Sequence, residues 1–421
     1  MVNRSGTANL PLHYGKVPAW LHQRMALLGS AICEAVVVNE GRSGFLSRLS
    51  DPFWFQSFGA VLGMDWHSSG ITTSVMGALK NGLRHRQDEL GIYVCGGRGK
   101  HSRKTPEELD GLANRIGLDG DSLIRASKLT AKVDNVAVQD GYSLYLHSFV
   151  VTRDGQWVVV QQGMNDMSRQ ARRYHWRSAG IQSFVDDPHD AIVGPNQGCI
   201  VNLTDRRSRQ ARDASVDMLN ESPGAITAEL KQILAARHLQ MPEHHEVRPT
   251  DVFLKRLHGV LALARSSETT QFEDLLLTKG LGPRSMQALA LVAEVVYGAP
   301  SRFDDPARFA FAHGGKDGHP CPVPLHVYDA TIQHLKDALN KTKVGHTDKL
   351  QAFNRLDSQI RHLEKIATGP DFEAIVENEW RQSSRYGGMT VIGKTSDAVE
   401  QKIRGKNAFS SKQLSLFGRG G

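Results

Sequence analysis

The chain has 421 residues, with 51 Lys and Arg against 44 Asp and Glu, which gives a formal net charge of +7. Hydrophobic residues make up 40% and charged residues 23%, a balance that supports a sizeable core and excludes a wholly disordered or low-complexity chain. Cys33, Cys95, Cys199 and Cys321 lie far apart, which argues against a zinc ribbon, an iron–sulfur site or a disulfide scaffold. Apolar runs fall short of a membrane span of about 20 residues, and the N-terminus lacks a secretory apolar segment. We therefore expect a cytoplasmic protein with no membrane partner.

The first half of the chain alternates helical and β-type patterns. Apolar spacing predicts helices at residues 17–28, 73–83, 106–116 and 205–219. The predicted strands are residues 35–38, 92–94, 133–138, 142–152 and 156–160. Asp154-Gly155 separates the last two, and Asp-Gly between such runs indicates a β-hairpin. We predict a mixed α/β N-terminal domain over residues 1–220, which is the candidate catalytic domain.

The second half of the chain reads as helical from about Pro223 onward. The predicted helices are residues 225–237, 250–264, 271–277, 285–296 and 326–339, and the helical pattern continues over 348–380. From about Ser383 the composition becomes rich in Gly, Ser, Lys and Arg, which is typical of a flexible tail. The sequence predicts an all-α domain over residues 221–382 and a flexible basic C-terminal tail over 383–421.

Residues 275–289 of the second half carry the clearest local motif. The sequence Leu-Leu-Leu-Thr-Lys-Gly-Leu-Gly-Pro-Arg-Ser-Met-Gln-Ala-Leu resembles the helix-hairpin-helix of DNA-binding and DNA-repair proteins. Glycines at the turn would let a phosphate approach the backbone. The predicted DNA-binding residues are Lys279, Gly280, Gly282 and Arg284. A plain glycine-closed turn between two helices is the alternative, and Pro324 stands where a glycosylase of this type would carry its catalytic aspartate.

The C-terminal tail contains a pentapeptide made of Gln413, Leu414, Ser415, Leu416 and Phe417. It is similar to the bacterial sliding-clamp binding peptide at all five positions. Its apolar side chains stand in an otherwise polar tail, which suits a groove on a partner protein. The resemblance implies a bacterial sliding clamp as partner and a nucleoid-associated location.

Several segments of the chain are dense in polar residues, and most of these segments also contain glycine. These segments are residues 6–16, 63–70, 132–135, 139–141, 161–165, 172–176 and 312–319. Together they resemble a family of archaeal and bacterial proteins catalogued as domain of unknown function 763, over roughly residues 4–340. The resemblance implies one shared architecture for both halves and supplies no activity.

A divalent-metal site is the leading hypothesis for the chemistry of the first half. Asp65, Asp134 and Asp140, with His67 or His147, could hold magnesium, manganese or zinc, and such metals activate water for phosphodiester cleavage. The predicted catalytic residues are Asp65, His67, Asp134 and Asp140, and the three aspartates are the predicted ligands of magnesium or manganese. Each of these residues could instead be a turn cap, an ion pair or a satisfied core group.

These observations predict a DNA-binding protein of replication or repair, with a metal-dependent nuclease recruited by the sliding clamp as the leading function. Basic clusters at residues 98–104, 169–173 and 206–212 can follow a phosphate backbone. The alternative is a non-enzymatic adaptor that binds DNA structures. A glycosylase-like enzyme is disfavoured by Pro324, and a covalent nucleotidyl transferase, which residues 132–135 resemble, is disfavoured because Asn135 replaces the glycine of that motif.

Overall fold

The structure is a computed structural model that describes residues 17–64, 69–235, 254–307, 325–342, 345, 347–354, 389–390 and 393–394. The helices are α1 (Ala19–Ser50), α2 (Pro52–Val61), α3 (Gly70–Leu83), α4 (Gln87–Leu90), α5 (Lys100–Arg103), α6 (Thr105–Ile116), α7 (Gly120–Lys132), α8 (Arg209–Asp217), α9 (Pro223–Ala235), α10 (Leu254–Ser266), α11 (Phe272–Leu277), α12 (Pro283–Val295) and α13 (Leu325–Lys341). The strands are β1 (Ile92–Arg98), β2 (Val138–Gln139), β3 (Ser143–Thr152), β4 (Trp157–Asn165), β5 (Gln170–Arg177), β6 (Ala191–Val193), β7 (Cys199–Asn202), β8 (Arg302–Asp304), β9 (Met389–Thr390) and β10 (Gly393–Lys394).

A five-stranded antiparallel sheet, in the order β1-β3-β4-β5-β6, forms the centre of the fold. The predicted hairpin is present: β3 and β4 pair across the Asp154-Gly155 turn, where Gly155 has a φ of 77°. That left-handed conformation is the reason why glycine suits this position. The mixture of helix and antiparallel sheet confirms the predicted α/β character of the first half.

Each face of this sheet is covered by its own hydrophobic cluster. Alternate residues of a strand point to opposite faces, so Val150 and Val158 belong to one cluster while Phe149 and Val159 belong to the other. The first face packs on α1, α2 and α3. The second face packs on α6 and α7, and its cluster continues through α8 to α12, from Tyr93 to residues beyond 290.

Two predicted strands of the first half are helical. Residues 35–38 lie inside α1, where Ala35 and Val36 are buried and Val38 is 78% exposed. A short apolar run fits a buried helix as well as a strand, which explains the error. Residues Val133–Ala137 form a π-helix, and strand geometry begins at Val138.

The second half is not purely helical. β8 pairs with β7, which in turn pairs with β2, so residues from both halves build one small three-stranded sheet. β9 and β10 pair with each other. The expectation of an all-α domain over residues 221–382 is therefore corrected by β8, while β9 and β10 lie within the predicted tail.

α6 and α7 form a helical hairpin that positions part of the site. Gly117 ends α6 with a φ of 75°, and Asp119 caps α7 by accepting the Ser122 N–H at 3.0 Å. A left-handed glycine followed by an aspartate cap is a compact way to stop one helix and start the next.

Among the described residues, one helical segment (Leu21–Ser50) is long and apolar enough to span a membrane by length and composition alone. Half of its most apolar window is buried inside the fold. A core helix packed on a sheet has the same property.

Candidate functional site

The turn between α11 and α12 is tight and has a buried leucine at its centre. Gly280 adopts a φ of 90°, in the left-handed region that favours glycine. The Leu281 N–H donates to the Thr278 carbonyl at 3.2 Å, and the Leu281 side chain is buried in the larger cluster. Pro283 occupies the first position of α12, where a missing N–H is tolerated.

The outer side of this turn is open to solvent. Lys279, Gly280 and Arg284 are exposed, and Gly282 is half-buried. Gly282 is extended, with φ −130° and ψ 178°, and a Cβ built there would meet no heavy atom within 4 Å. The structure thus places all four predicted DNA-binding residues on one exposed turn, with space for an anion to reach the backbone.

The turn is fixed to the first half of the chain by hydrogen bonds to its carbonyls. The Lys132 Nζ donates to the Leu281 carbonyl at 2.7 Å, and the Gln139 Nε2 donates to the Pro283 carbonyl at 3.0 Å. The Arg256 Nη2 donates to the Gly280 carbonyl at 3.4 Å. Burial lowers the pKa of Lys132. The lysine that resembles a transferase nucleophile is therefore an anchor of the turn.

Asp134 lies in the π-helix and is completely buried. Its Oδ2 accepts from the Gln161 Nε2 at 2.5 Å and from the Trp176 Nε1 at 3.0 Å, and its Oδ1 contacts the His189 Nε2 at 2.5 Å. Burial raises the pKa of Asp134, and the neighbouring His189 opposes that rise. π-helical turns occur often at functional sites, and here the turn aims a carboxylate at an imidazole.

A second histidine extends this network. The His147 Nδ1 lies 2.7 Å from the Gln161 Oε1, and its Nε2 lies 2.9 Å from the Ser127 Oγ. Because an amide oxygen can only accept, Nδ1 carries the proton and Nε2 accepts from the serine. Burial lowers the pKa of His147 to about 4. Ser127, His147, Gln161, Asp134 and His189 therefore form one continuous chain of hydrogen bonds, which we call the buried relay.

Asp140 belongs to a separate buried ion cluster. It accepts from the Tyr174 hydroxyl at 2.6 Å and from the Arg172 Nη1 at 2.9 Å. Arg172 also pairs with Asp305 at 2.6 Å, and all three charged side chains are at most 1% exposed. Burial raises the pKa of Asp140 to about 6, against the opposing effect of Arg172. One guanidinium thus serves two carboxylates.

The predicted metal ligands are only partly within the described structure. Tyr174 links the surroundings of Asp134 and Asp140. Its hydroxyl donates to Asp140, and its ring centre lies 6.2 Å from the ring centre of His189, which contacts Asp134. Both carboxylates are surrounded by N–H and O–H donors, which would compete with a cation for their oxygens. Asp65 and His67 lie outside the described residues. Within the described ranges, no group of three or more His, Cys, Asp or Glu side chains is placed to hold a metal ion.

Several residues of these networks were not predicted from the sequence as site residues. Gln161 and Trp176 stand at core-facing positions of β4 and β5, and a polar amide inside an apolar strand was a usable signal. His189 and Asp305 lie in segments without periodicity, and their partners are 55 and 133 residues away. No local pattern could have paired them.

Comparison with known proteins identifies a family. A family model described as "Protein of unknown function (DUF763)" matches residues 6–323. This range is most of the chain and includes the turn between α11 and α12, the buried relay and the ion cluster. No curated protein and no solved structure matches the chain. The chain belongs to the DUF763 family.

Proposed function

We propose that this protein binds duplex DNA through the phosphate backbone at the turn between α11 and α12. The observation that carries the proposal is the exposed turn of Lys279, Gly280, Gly282 and Arg284, held rigidly by Lys132. A fixed glycine turn with open space in front of it offers backbone N–H groups to phosphate oxygens at no cost of reorganisation. Such contacts carry little sequence preference.

Replacement of Gly282 by Val tests this proposal. Gly282 has an ordinary extended backbone and an empty Cβ position, so the variant keeps its fold while the branched side chain blocks the approach of a phosphate. We expect the logarithm of the wild-type affinity to fall by about 0.9 per neutralised phosphate for each tenfold rise in salt concentration. The variant should bind all duplexes more weakly. Fluorescence anisotropy with the full chain measures both.

The matched control is Gly111→Val, at an exposed glycine of α6 with equally open space. It should bind DNA as the wild type does. Equal affinity of the Gly282→Val variant and the wild type, or wild-type binding that ignores salt, contradicts the proposal.

The second proposed function is a metal-dependent nuclease, and the contact between Asp134 and His189 favours it. A buried carboxylate that holds one imidazole nitrogen orients the ring for proton transfer. The Nδ1 of His189 has no hydrogen-bond partner in the described part of the chain, so it is free to act on a water. The sequence hypothesis assigns magnesium or manganese to Asp65, Asp134 and Asp140, with His67. Because Asp134 and Asp140 already accept from protein donors, the described contacts support the Asp134–His189 pair and not this ligand set. Cleavage is measured by incubating the end-labelled duplex of the binding assay with the protein and either magnesium or manganese. Loss of cleavage in Asp134→Asn with DNA binding retained supports the nuclease, and an inactive wild type favours the adaptor.

Recruitment by a bacterial sliding clamp is proposed from the sequence, because Gln413 to Phe417 lie outside the described residues. A peptide of residues 412–421 should bind purified clamp with an affinity on the order of micromolar, since a flexible segment loses entropy on docking. Replacing Leu416 and Phe417 with Ala should remove that binding, because these side chains would fill the apolar pockets. Calorimetry decides the matter, and equal binding by both peptides would show the motif to be a coincidence.

A further inference from the structure

Three basic clusters look alike in the sequence, but their cations have different partners in the structure. In the cluster at residues 206–212, Arg206 pairs with Asp187, Arg207 pairs with Asp205 and Asp304, and Arg212 contacts Asp186. These arginines are already neutralised by neighbouring carboxylates.

The cluster at residues 169–173 is used inside the fold. Arg172 is the centre of the buried ion cluster, and Arg173 is also fully buried, with Nη2 donating to the Gln56 Oε1 at 3.0 Å and Nε to the His175 Nε2 at 2.8 Å. Neither guanidinium can reach a macromolecule in solvent. Arg172 and Arg173 are therefore structural, as are the paired arginines of residues 206–212, while Arg169 is exposed.

The remaining cluster is exposed and has no acidic partner. Arg98, Lys100, Arg103 and Lys104 are all exposed, and within the described residues none of them lies within 4 Å of a carboxylate. We call residues 96–104 the basic loop. Four unpaired cations within seven residues repel one another, and a polyanion would relieve that repulsion.

The basic loop is rigid in spite of its exposure. Gly96, Gly97 and Gly99 have φ values of 82°, 135° and 61°, a sequence of conformations that side-chain-bearing residues rarely adopt. The Gly99 N–H donates to the Tyr145 carbonyl at 2.8 Å, and the Ser102 Oγ donates to the Gly99 carbonyl at 2.6 Å. The cations are thus presented on a preformed turn, which lowers the entropy cost of binding.

Arg98 is held in a way that leaves its donors free. Its guanidinium carbon lies 5.8 Å from the centre of the Tyr145 ring, within the range of a cation–π contact. Such a contact uses the face of the guanidinium, so its N–H edge is available to two phosphate oxygens.

The basic loop and the proposed DNA-binding turn are both connected to the C-terminal half of α7. Gly97 pairs with His147 across β1 and β3, and His147 bonds Ser127 in the last two turns of α7. α7 ends at Lys132, whose ammonium bonds the Leu281 carbonyl of the turn. The basic loop and the turn are therefore linked to each other through β3 and α7.

From these contacts we propose that the basic loop is a second binding site for the phosphodiester backbone, which engages the same duplex as the turn between α11 and α12. The proposal rests on the proposed function and extends it by naming a second point of contact. Two separated contacts on one duplex also fix the direction of its axis across the protein. A single contact at the turn between α11 and α12 would not fix that direction.

The test compares two triple variants of the full chain that lose the same charge. Lys100→Ala, Arg103→Ala and Lys104→Ala remove three unpaired cations, while Arg115→Ala, Arg206→Ala and Arg209→Ala remove three cations that face Asp88, Asp187 and Asp213. We expect the basic-loop variant to bind duplex DNA on the order of 100-fold more weakly at about 0.1 M salt, with a salt slope shallower by about 2.7. The control variant should keep most of the wild-type affinity and slope.

The outcomes separate the two proposals. Equal loss in both triple variants means that net charge alone matters and overturns the second site, as does unchanged binding by the basic-loop variant. If the basic-loop variant loses affinity for duplex DNA while Gly282→Val binds as the wild type does, the second site is supported and the turn between α11 and α12 is excluded as a binding site. Wild-type protein that does not bind DNA overturns both proposals. A final arm adds excess ATP: displacement of DNA by ATP that depends on the basic loop would make it a nucleotide site and overturn the backbone contact.

Discussion

At the scale of single residues, burial decides the protonation of the buried relay. His147 has no carboxylate partner among the described residues, and both of its nitrogens are engaged by neutral groups, the amide of Gln161 and the hydroxyl of Ser127. Loss of hydration therefore dominates, and the pKa of His147 falls to about 4.

This shift predicts a dependence of stability on pH. The unfolded chain protonates His147 near pH 6.5, whereas the folded chain does so near pH 4, so the unfolded state binds the extra proton between these values. The contribution of the neutral His147 to the free energy of unfolding is fully present above about pH 6.5. It is lost as the pH falls toward 4, and the loss is about 3 kcal/mol.

Urea unfolding of the wild type and of His147→Gln at about pH 7 and about pH 4.5 measures the effect. Glutamine can bond both neighbours without titrating, so the variant should lose less stability on acidification. The exposed His258→Gln variant serves as control and should follow the wild type. Identical acid dependence in all three proteins would exclude the assigned protonation.

At the scale of elements, glycines determine where the chain can turn, and they do so for two different reasons. A Cβ at Gly96 would lie 2.3 Å from the His147 carbonyl oxygen and 2.4 Å from the Thr105 Oγ1. A Cβ at Gly99 would meet nothing within 4 Å, and this residue needs glycine only for its φ of 61°. Close packing governs the first position, and backbone conformation governs the second.

Replacing each glycine with Ala should therefore give unequal losses of stability. Gly99→Ala should cost about 1–3 kcal/mol, because a φ of 61° with a ψ of −119° is a conformation that residues with a Cβ rarely adopt. Gly96→Ala carries a similar penalty and also forces β1 away from β3, so it should cost several kcal/mol. Thermal denaturation followed by circular dichroism gives both values, and an equal loss in the two variants would refute the argument.

Local patterns predicted the elements whose causes are local. The β3–β4 hairpin was predictable because Asp154-Gly155 specifies its turn, and α6 was predictable from Pro106 and the acids that follow it. Residues 35–38 were assigned wrongly because an apolar run does not reveal whether its neighbours are helical or extended. Asp134 and Asp140 were identified as notable carboxylates, but their partners His189 and Asp305 come from distant segments that only the folded chain brings near.

At the scale of the whole molecule, one carboxylate ties the second half of the chain to the central sheet. Asp305 accepts from the Arg172 Nη2 at 2.6 Å, from the Gln197 N–H at 2.6 Å and from the Ala307 N–H at 2.9 Å. It lies just after β8, which joins β7. Loss of this carboxylate would leave the buried Ala307 N–H without its acceptor and the buried Arg172 with Asp140 as its remaining carboxylate partner.

Asp305→Ala should destabilise the protein by about 3–5 kcal/mol, the usual result of removing one member of a buried ion pair. The neighbouring Asp304 has a side chain that is 42% exposed and pairs with Arg207. Asp304→Ala should therefore cost less than about 1 kcal/mol. Chemical denaturation distinguishes the two variants, and a small loss in Asp305→Ala would show that the ion cluster does not hold the halves together.

The continuous cluster on the second face of the sheet also has a consequence for synthesis of the chain. α12, whose Leu289 and Val292 lie in this cluster, packs on the π-helix, α8 and α9, all of which emerge from the ribosome before it. Roughly 150 residues separate the π-helix from α12, and at about 5–20 residues per second their translation takes on the order of 10 s. During that interval the apolar side chains that α12 covers are exposed on the nascent chain, so this part of the cluster is where chaperones would bind first.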